Sequence, residues 1–406
     1  MVRIGLTADG RVLADAVGRI AKHGAARGSV MPVLSAVKLT QAGDELQLEA
    51  TDLRHAARLR VRVSGADSAG GAVCVSAADL AALAAKLADG VTMSLQYSGG
   101  EGGLALSGDR LVLRCGSDRA QLPVIRAVDF PAISWETDAD GALTLDGGDL
   151  RRLLTAGAAA MLTDDTRPAM GGAHLVGKGD ALCIESADGY RATRAETEAV
   201  HGLGGGLLGD DGLTIHRESV AVLRAYLQDG QQVRLSRAVG EGSRLVAEAA
   251  DGSWAVALAL VSGAFPDLGR IFDTSHPSQH APVEFTAGPG SFRRALGIVG
   301  AAGGIGMVSL TVSSQDGVSL ATAPSPENAE ARSQLHALLA TGFSGEAAVR
   351  VSGRLLGGIV DAWAAAGADD LTATISGESA TKPVALQAEA EALSMEALVM
   401  PMSPAS

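Results

Sequence analysis

The 406-residue chain is poor in aromatic and cysteine side chains. Aromatic residues make up only 3% of the chain although hydrophobic residues reach 47%, so its cores must be built from Leu, Val and Ala. The three cysteines, Cys74, Cys115 and Cys183, lie in apolar, strand-like runs. This small, odd number excludes a disulfide framework and predicts buried thiols in a cytoplasmic protein.

Long apolar runs are also missing. No run approaches the roughly 18–20 residues that are needed to span a bilayer. At the N-terminus, Asp9, Arg11 and Asp15 interrupt any apolar core of a signal peptide. The sequence therefore predicts a protein without membrane contact.

Patterns typical of catalytic or metal sites are lacking. The eight histidines show no metal-ligand spacing and have no cysteine nearby. No Ser/His/Asp set has a spacing that supports catalysis, although such triads are assembled in space rather than in sequence. Asp164-Asp165 is interpreted as a solvated loop rather than a paired-carboxylate site. We therefore expect no enzyme activity, no metal and no cofactor.

One glycine-rich segment, Gly300–Gly306, resembles the phosphate-binding turn of malate dehydrogenases. That turn follows a strand and opens a helix, which places the pyrophosphate at the helix N-terminus. Here a helical stretch, Ser291–Val299, precedes the glycines and a strand, Met307–Val312, follows them. The segment is predicted to be a loop between helix and strand. A nicotinamide-dependent oxidoreductase is the alternative, and it requires nicotinamide-dependent thermal stability.

A threefold internal repeat dominates the chain. Similar strand-like segments begin at Leu46, Leu182 and Val318, each 136 residues after the last. This period exceeds the about 20–50 residues of solenoid units, so the repeated object is a whole domain. Each third contains two steps from strand to helix, and Ser76 and Ser352 stand where a helix N-cap is expected. The sequence predicts six helix-plus-strands units, paired into three domains.

Apolar residues recur at helical spacing near the start of each third. They are Leu13, Val17 and Ile20; Leu150, Leu153 and Leu154; and Phe292, Leu296, Ile298 and Val299. Alternation over residues 58–63 predicts a sheet with one buried and one exposed face. Polar stretches near 127–141 and 273–282 are interpreted as linkers. We therefore place the domains at residues 1–128, 142–268 and 281–406.

The net charge of −13 argues against a nucleic-acid partner, but the distribution of the charge does not. The first helix of each third, with its flanks, collects eight basic residues against only Asp15 and Asp149. These are Arg11, Arg19, Lys22, Arg27, Arg151, Arg152, Arg293 and Arg294. A solvated helix face is the simpler explanation for any single arginine. Recurrence in all three repeats favours a positive surface that faces a polyanion.

Five short motifs in a fixed order resemble those of the β sliding clamp of bacterial DNA polymerase III. They are Met31-Pro-Val-Leu-Ser35, Ala50-Thr-Asp-Leu53, Ala187-Asp-Gly-Tyr-Arg191, Phe265-Pro-Asp-Leu-Gly-Arg270 and Leu398-Val-Met-Pro-Met402. The resemblance covers essentially the whole chain. It implies an α+β fold of three tandem clamp domains, each with two helices packed on antiparallel sheets. It also implies a head-to-tail homodimer that forms a ring around duplex DNA.

The resemblance further implies a processivity factor that binds double-stranded DNA without reading its sequence. Matching positions suggest DNA contacts at Arg19, Arg27, Arg151, Arg167, Arg217 and Arg224. A Met-rich pocket would receive short peptides from the polymerase III catalytic subunit, the clamp loader and repair proteins, since methionine adapts to varied partners. The matching pocket residues are Met170, Gly189, Tyr190, Arg191, Pro266, Ile271, Leu398, Val399, Met400, Pro401 and Met402. A buried C-terminal strand is the alternative for residues 399–402.

The chain also departs from the family pattern. The family often has Thr-Asp-Gly-His-Arg-Leu where this chain has Ala187-Asp-Gly-Tyr-Arg-Ala192, and commonly a basic residue where this chain has Ser403. The loop Asp164-Asp165 is acidic near the expected DNA path. The third repeat is the most divergent, and we expect it to supply one side of the dimer interface. These departures leave a second hypothesis, a clamp paralogue that binds replication peptides or a clamp-targeting ligand without being the main clamp.

Overall fold

The computed structural model describes residues 3–22, 31–65, 70–87, 92–98, 109–138, 141–239, 244–279, 281–323, 329–340 and 343–402. A unit of one strand, one helix and three further strands occurs six times along the chain. Two such units make up each third, as the 136-residue repeat predicts. The α+β class with paired helix-plus-strands units is therefore confirmed.

Each third has two long helices and eight or nine strands in the described residues. The first contains β1 Arg3–Asp9, α1 Gly10–Ala21, β2 Ala36–Ala42, β3 Glu45–Thr51, β4 Ala56–Arg62, β5 Gly71–Ser76, α2 Ala77–Leu87, β6 Thr92–Ser98, β7 Arg110–Cys115 and β8 Asp118–Ile125. The second contains β9 Leu143–Asp146, α3 Gly147–Gly157, β10 Gly172–Lys178, β11 Ala181–Ala187, β12 Arg191–Thr197, β13 Val200–His201, β14 Leu213–His216, α4 Arg217–Tyr226, β15 Gln232–Arg237, β16 Arg244–Ala249, β17 Trp254–Val261 and the short α5 Leu268–Ser275. The third contains β18 Pro282–Ala287, α6 Pro289–Ala301, β19 Val308–Ser313, β20 Gly317–Thr322, β21 Arg332–Leu335, β22 Ala337–Leu339, β23 Glu346–Val351, α7 Gly353–Ala365, β24 Leu371–Ser376, β25 Val384–Ala390 and β26 Leu393–Val399.

The chain forms two compact units. The first comprises Met1–Thr144, Ala221–Tyr226 and Gln231–Ala259, and the second comprises Leu145–Val220, Leu227–Gly230 and Leu260–Ser406. None of the boundaries between these two units falls at residue 128, 142, 268 or 281. The boundaries proposed from sequence therefore stay a prediction.

In the first unit, antiparallel pairing runs in the order β1-β6-β7-β8-β5-β2-β3-β4-β17-β16-β15. Strand β4 alternates buried apolar with exposed basic side chains along Leu59–Arg62, as the pattern at residues 58–63 predicts. Helix α1 packs beside α2. The sheet thus has one face in the core and one face in water.

In the second unit, antiparallel pairing runs in the order β14-β10-β11-β12-β26-β25-β24-β18-β22. A second antiparallel sheet has the order β21-β20-β19-β23. The β12–β26 pair joins the middle third to the last strand of the chain, with Arg191 opposite Val399 and Ala192 opposite Leu398. This pairing brings two distant sequence motifs together.

Side-chain caps begin several helices. Ser76 accepts a hydrogen bond from Asp79 N (3.3 Å) and Ser352 accepts one from Leu355 N (3.4 Å), so both predicted N-caps are confirmed. Asp9 and Asp146 cap α1 and α3 in the same way. Such caps satisfy N–H groups that have no partner inside the helix.

The apolar residues predicted for the first helices are buried, with one exception. Ile298 on α6 is 43% exposed, because it lies off the face that Phe292, Leu296 and Val299 bury. A second correction concerns the stretch interpreted as a linker near residues 273–282. Its first residues complete α5 and Pro277–Gln279 form a 3₁₀ turn.

The glycine segment 300–306 begins with the last two residues of α6, ends in a 3₁₀ turn at Gly304–Gly306 and precedes strand β19, so it connects helix to strand as predicted. This order is the reverse of a dinucleotide-binding turn, so the segment offers no helix N-terminus to a pyrophosphate. None of the helices within the described ranges is long and apolar enough to cross a lipid bilayer.

The cysteines are free thiols. Cys74 and Cys183 are buried, and burial raises the pKa of each thiol to about 12. Cys115 is only half-buried and donates to Leu87 O (3.1 Å). Because the thiolate is the reactive form, Cys74 and Cys183 are unreactive core residues.

Candidate functional site

A tight turn between β11 and β12 forms one wall of the candidate site. The Asp188 carboxylate accepts hydrogen bonds from the backbone N–H groups of Tyr190 and Arg191, each at 2.9 Å. Gly189 has φ +92°, a conformation that L side chains rarely adopt. The turn is therefore fixed by its own sequence, Ala187-Asp-Gly-Tyr-Arg191.

The C-terminal segment lies beside this turn. Met400 N donates to Tyr190 O (2.8 Å), which extends the β12–β26 pairing past the end of β26. The opposite wall is α5, which begins where Asp267 accepts a hydrogen bond from Arg270 N (3.1 Å). Three motifs that are distant in sequence, at residues 187–191, 265–270 and 398–402, thus meet at one place.

A cavity of about 300 Å³ opens between these elements. Its lining residues are Arg167, Met170, Ala187, Gly189, Arg191, Ala192, Pro266, Leu268, Ile271, Ser275, Leu398 and Met400. Below it lies a buried apolar cluster that includes Leu162, Met170 and Phe272. A concave apolar surface with a few polar groups at its edge is typical of a ligand- or peptide-binding pocket.

Seven of the eleven residues predicted for the pocket line this cavity. They are Met170, Gly189, Arg191, Pro266, Ile271, Leu398 and Met400. Tyr190 is 68% exposed and Val399 is fully buried, and neither lines it. Pro401 and Met402 instead line a second cavity of about 420 Å³, with Ser309, Val349, Arg350 and Thr381 among its walls.

Sequence reasoning missed five lining residues: Arg167, Ala187, Ala192, Leu268 and Ser275. Ala187 and Ala192 are opposite each other across the β11–β12 pair, so two small side chains share one place on the wall. In the sequence, both stand out only as departures from the family pattern. Their position in the two strands that flank the β11–β12 turn is the signal that identifies them as lining residues.

Two arginines form the charged edge of the cavity. Arg191 Nε lies 3.0 Å from Asp188 Oδ2, and Arg191 Nη1 donates to Leu355 O (3.2 Å). Arg167, which was predicted to contact DNA, donates to the backbone oxygen of Asp188 (2.9 Å). A side chain at Gly189 would meet Arg167 Nη2 at 2.8 Å. Glycine is thus favoured here by its backbone conformation, and a side chain would also force the Arg167 guanidinium to move.

A buried histidine supports the segment that leads into α5. The His174 ring stacks on Phe265, with ring centroids 4.5 Å apart and planes 5° apart, and His174 Nδ1 lies 3.1 Å from Thr214 Oγ1. Burial lowers the pKa of His174 below its ordinary value, while the Glu185 carboxylate opposes this shift. Glu185 is itself ion-paired with Lys178. His174 is therefore a neutral packing residue at neutral pH.

We expect the stability of the fold to decrease as the pH falls below about 6.5, the pKa of histidine in the unfolded chain. There the unfolded chain binds a proton at His174 that the folded chain binds only at lower pH. Above about pH 6.5 the contribution of the neutral ring is complete. Urea unfolding at about pH 7.5 and pH 5 measures the difference for the wild type and for His174→Gln. Replacing the exposed His201 by Gln is the control, and an equal pH dependence in all three proteins would contradict the assignment.

The arginines predicted for DNA contact lie mostly beside carboxylates of the same chain. Arg151 pairs with Asp229 (2.8 Å) and Arg217 pairs with Asp165 (2.9 Å). Arg19 lies 3.9 Å from Asp15 and 5.1 Å from the ring centroid of Tyr226. Arg224 is exposed on α4. Arg27 lies outside the described residues.

The six helices of the repeated units nevertheless differ in charge from the rest of the chain. They contain ten basic and five acidic side chains, which leaves a charge of +5. Because the whole chain carries −13, the remaining residues carry −18. The helices are thus the positive part of an acidic protein. Among the described residues, no group of three or more His, Cys, Asp or Glu side chains could hold a metal ion.

Comparison with known proteins shows similarity to bacterial beta sliding clamps. Residues 5–134 match the family model of the DNA polymerase III beta subunit, N-terminal domain. The beta sliding clamp of Caulobacter vibrioides is 29% identical over 273 residues, which cover 66% of this chain and 68% of that protein. The beta sliding clamp of Escherichia coli K12 is 26% identical over 251 residues, or 62% of this chain and 63% of that one. These matches support a bacterial β sliding clamp.

Solved sliding clamps share the fold along the whole length. A Caulobacter crescentus clamp aligns with a TM-score of 0.78 at 23% identity, over 99% of this chain and 100% of that one. A Pseudomonas aeruginosa clamp bound to griselimycin aligns with a TM-score of 0.80 at 20% identity and the same coverage. The family of the matching model is a non-catalytic accessory subunit of DNA polymerase III.

Proposed function

We propose that the protein encircles duplex DNA as a head-to-tail homodimer and tethers the replicative polymerase and other replication and repair proteins to it. The observation that carries this proposal is the apolar cavity between the β11–β12 turn, the C-terminal segment and α5. Three of the five motifs shared with sliding clamps supply its walls. Short apolar peptide segments of partner proteins fit a cavity of this size and lining.

The charge of the helices supports contact with DNA. A net charge of +5 on six helices suits contacts to phosphates that do not depend on base sequence. In the proposed ring, closure rather than affinity keeps the protein on DNA, so weak contacts are sufficient. The repeat of the helices in each third would present similar groups around the duplex.

The proposed ring has six domains, three from each chain, with boundaries near residues 128, 142, 268 and 281. Its subunit contact would involve the last third of one chain. Two large apolar side chains of this third, Ile298 on α6 and Leu338 on β22, are 43% and 78% exposed. A head-to-tail contact closes into a ring when its rotation is right.

We expect the protein to stay bound to nicked circular DNA after loading by its clamp loader, and to leave once the circle is cut. The reason is that a closed ring cannot leave a circle but slides off a free end. Gel filtration of the loaded complex before and after linearisation measures this, and a mass measurement in solution shows one chain or two. Equal retention on circular and linear DNA would contradict topological tethering.

A second candidate is a paralogue that binds partner peptides without acting as the main clamp. The ion pairs at Arg151 and Arg217 favour it, since each guanidinium already faces a carboxylate. In this case the protein would bind polymerase peptides but would not be retained on the circle, so the retention measurement together with a peptide titration separates the candidates.

A further inference from the structure

A carboxylate of the chain lies against the N-terminal turn of α3. Asp229, in the segment after α4, places Oδ1 at 2.8 Å and Oδ2 at 3.0 Å from Arg151 Nη2. Its Oδ1 is also 3.5 Å from Arg152 Nη1. One carboxylate thus faces two adjacent arginines, as a phosphate group bound to them would.

The local sequence of α3 leaves room for this carboxylate. A Cβ added to Gly148 would lie 2.0 Å from Asp229 Oδ1, so a side chain there would displace Asp229. The N–H groups of Gly148 and Asp149 in this turn donate to the cap, Asp146 Oδ1, and the positive end of the helix dipole also favours an anion nearby. Together, the glycine, the N-terminal end of α3 and the two arginines leave a place for an anion. The carboxylate of Asp229 occupies that place.

Other helix arginines are covered in a similar way. Arg152 Nη2 lies 2.8 Å from the carboxylate of Glu391, a residue with φ +48° in the turn between β25 and β26. Arg293 on α6 lies 2.6 Å from Asp361 on α7. Asp229 remains 65% exposed and Glu391 71% exposed. These carboxylates are therefore held by weak surface ion pairs that another anion is able to displace.

We propose that these carboxylates, and Asp229 above all, screen the arginines from DNA, so that phosphates must displace them before the helices bind the duplex. The proposal rests on the proposed function as a DNA-encircling clamp. Carboxylate and phosphate compete for the same guanidinium N–H groups. The competition keeps phosphate contacts weak, and weak contacts allow a closed ring to move along DNA.

The test is the affinity of the full-length protein for a short fluorescent DNA duplex, measured by anisotropy at several salt concentrations. Asp229→Asn keeps the shape of the side chain and removes the competing charge. We expect it to tighten binding about three- to tenfold at low salt. We also expect the slope of log K against log salt to become steeper by about one, because one more phosphate is neutralised. The matched control is Asp180→Asn in the turn between β10 and β11, which removes the same charge away from these arginines.

Equal affinity and equal salt slope for Asp229→Asn and Asp180→Asn would overturn the proposal. If the wild type is retained on nicked circular DNA and the two variants are still alike, only the screening is wrong. If no variant binds the short duplex even at low salt, the screening is wrong, and retention on nicked circular DNA then decides separately whether the proposed DNA function is wrong as well. Thermal unfolding of each variant excludes a change of fold as the cause.

Discussion

Replacing Ile271 by aspartate should weaken the binding of partner peptides at least about 100-fold while the protein stays folded. Ile271 lines the apolar cavity from α5 and is 37% exposed, so in the free protein the new carboxylate remains in water. A bound peptide would cover it. An unpaired charge buried in this way costs several kcal/mol, and about 2.7 kcal/mol already corresponds to 100-fold.

The measurement is calorimetric titration with a peptide from the clamp-binding segment of the organism's own polymerase III catalytic subunit. Val128→Asp is the matched control, because Val128 is an exposed apolar residue that does not line the cavity. It should bind the peptide like the wild type. Unchanged affinity in Ile271→Asp would show that partner peptides bind elsewhere.

The fold was predictable because its signals are local. Spacing of three and four residues marks the helices, alternation marks the strands, and serine before a helix marks its start. Because the 136-residue repeat occurs three times, these signals recur in each third of the chain. Helix α5 was missed because it has only eight residues, begins just after a proline, and ends inside the stretch 273–282 that we interpret as a linker.

The cavity was predictable only in part, since its shape depends on pairing between distant strands. We predict all five residues 398–402 for one pocket, although alternate residues of a strand face opposite sides of the sheet. The structure follows this alternation: Leu398 and Met400 line the cavity, while Val399 is buried outside it. The rule of alternation, applied to the C-terminal motif, would have excluded Val399.

The screening of the arginines could not be predicted from sequence. Asp229 lies 78 residues after Arg151, and nothing in the local pattern of either residue indicates the contact. A helix that looks positive in sequence is therefore close to neutral where its arginines meet carboxylates from other elements. Net charge and its distribution indicate a possible polyanion partner, but only the fold shows which charges remain available.

Replacing Gly157 by alanine should destabilise the second unit by about 3 kcal/mol or more. Gly157 is the last residue of α3, and a Cβ there would lie 2.4 Å from the backbone oxygen of Ile184 on β11. Gly157 O also accepts hydrogen bonds from Ser186 Oγ (2.6 Å) and Thr193 Oγ1 (2.8 Å). The alanine would push the helix away from the strands, which combines overpacking with the loss of buried hydrogen bonds.

Gly297→Ala on α6, in the same unit, is the matched control. Its added Cβ would meet nothing within 4 Å, so the better helix propensity of alanine should stabilise the protein by about 0.5–1 kcal/mol. Urea unfolding compares the two variants with the wild type, and we expect opposite signs. A stabilising effect of Gly157→Ala would mean that α3 does not approach β11 so closely. The result also concerns the cavity, because β11 and β12 hold the turn that forms its wall.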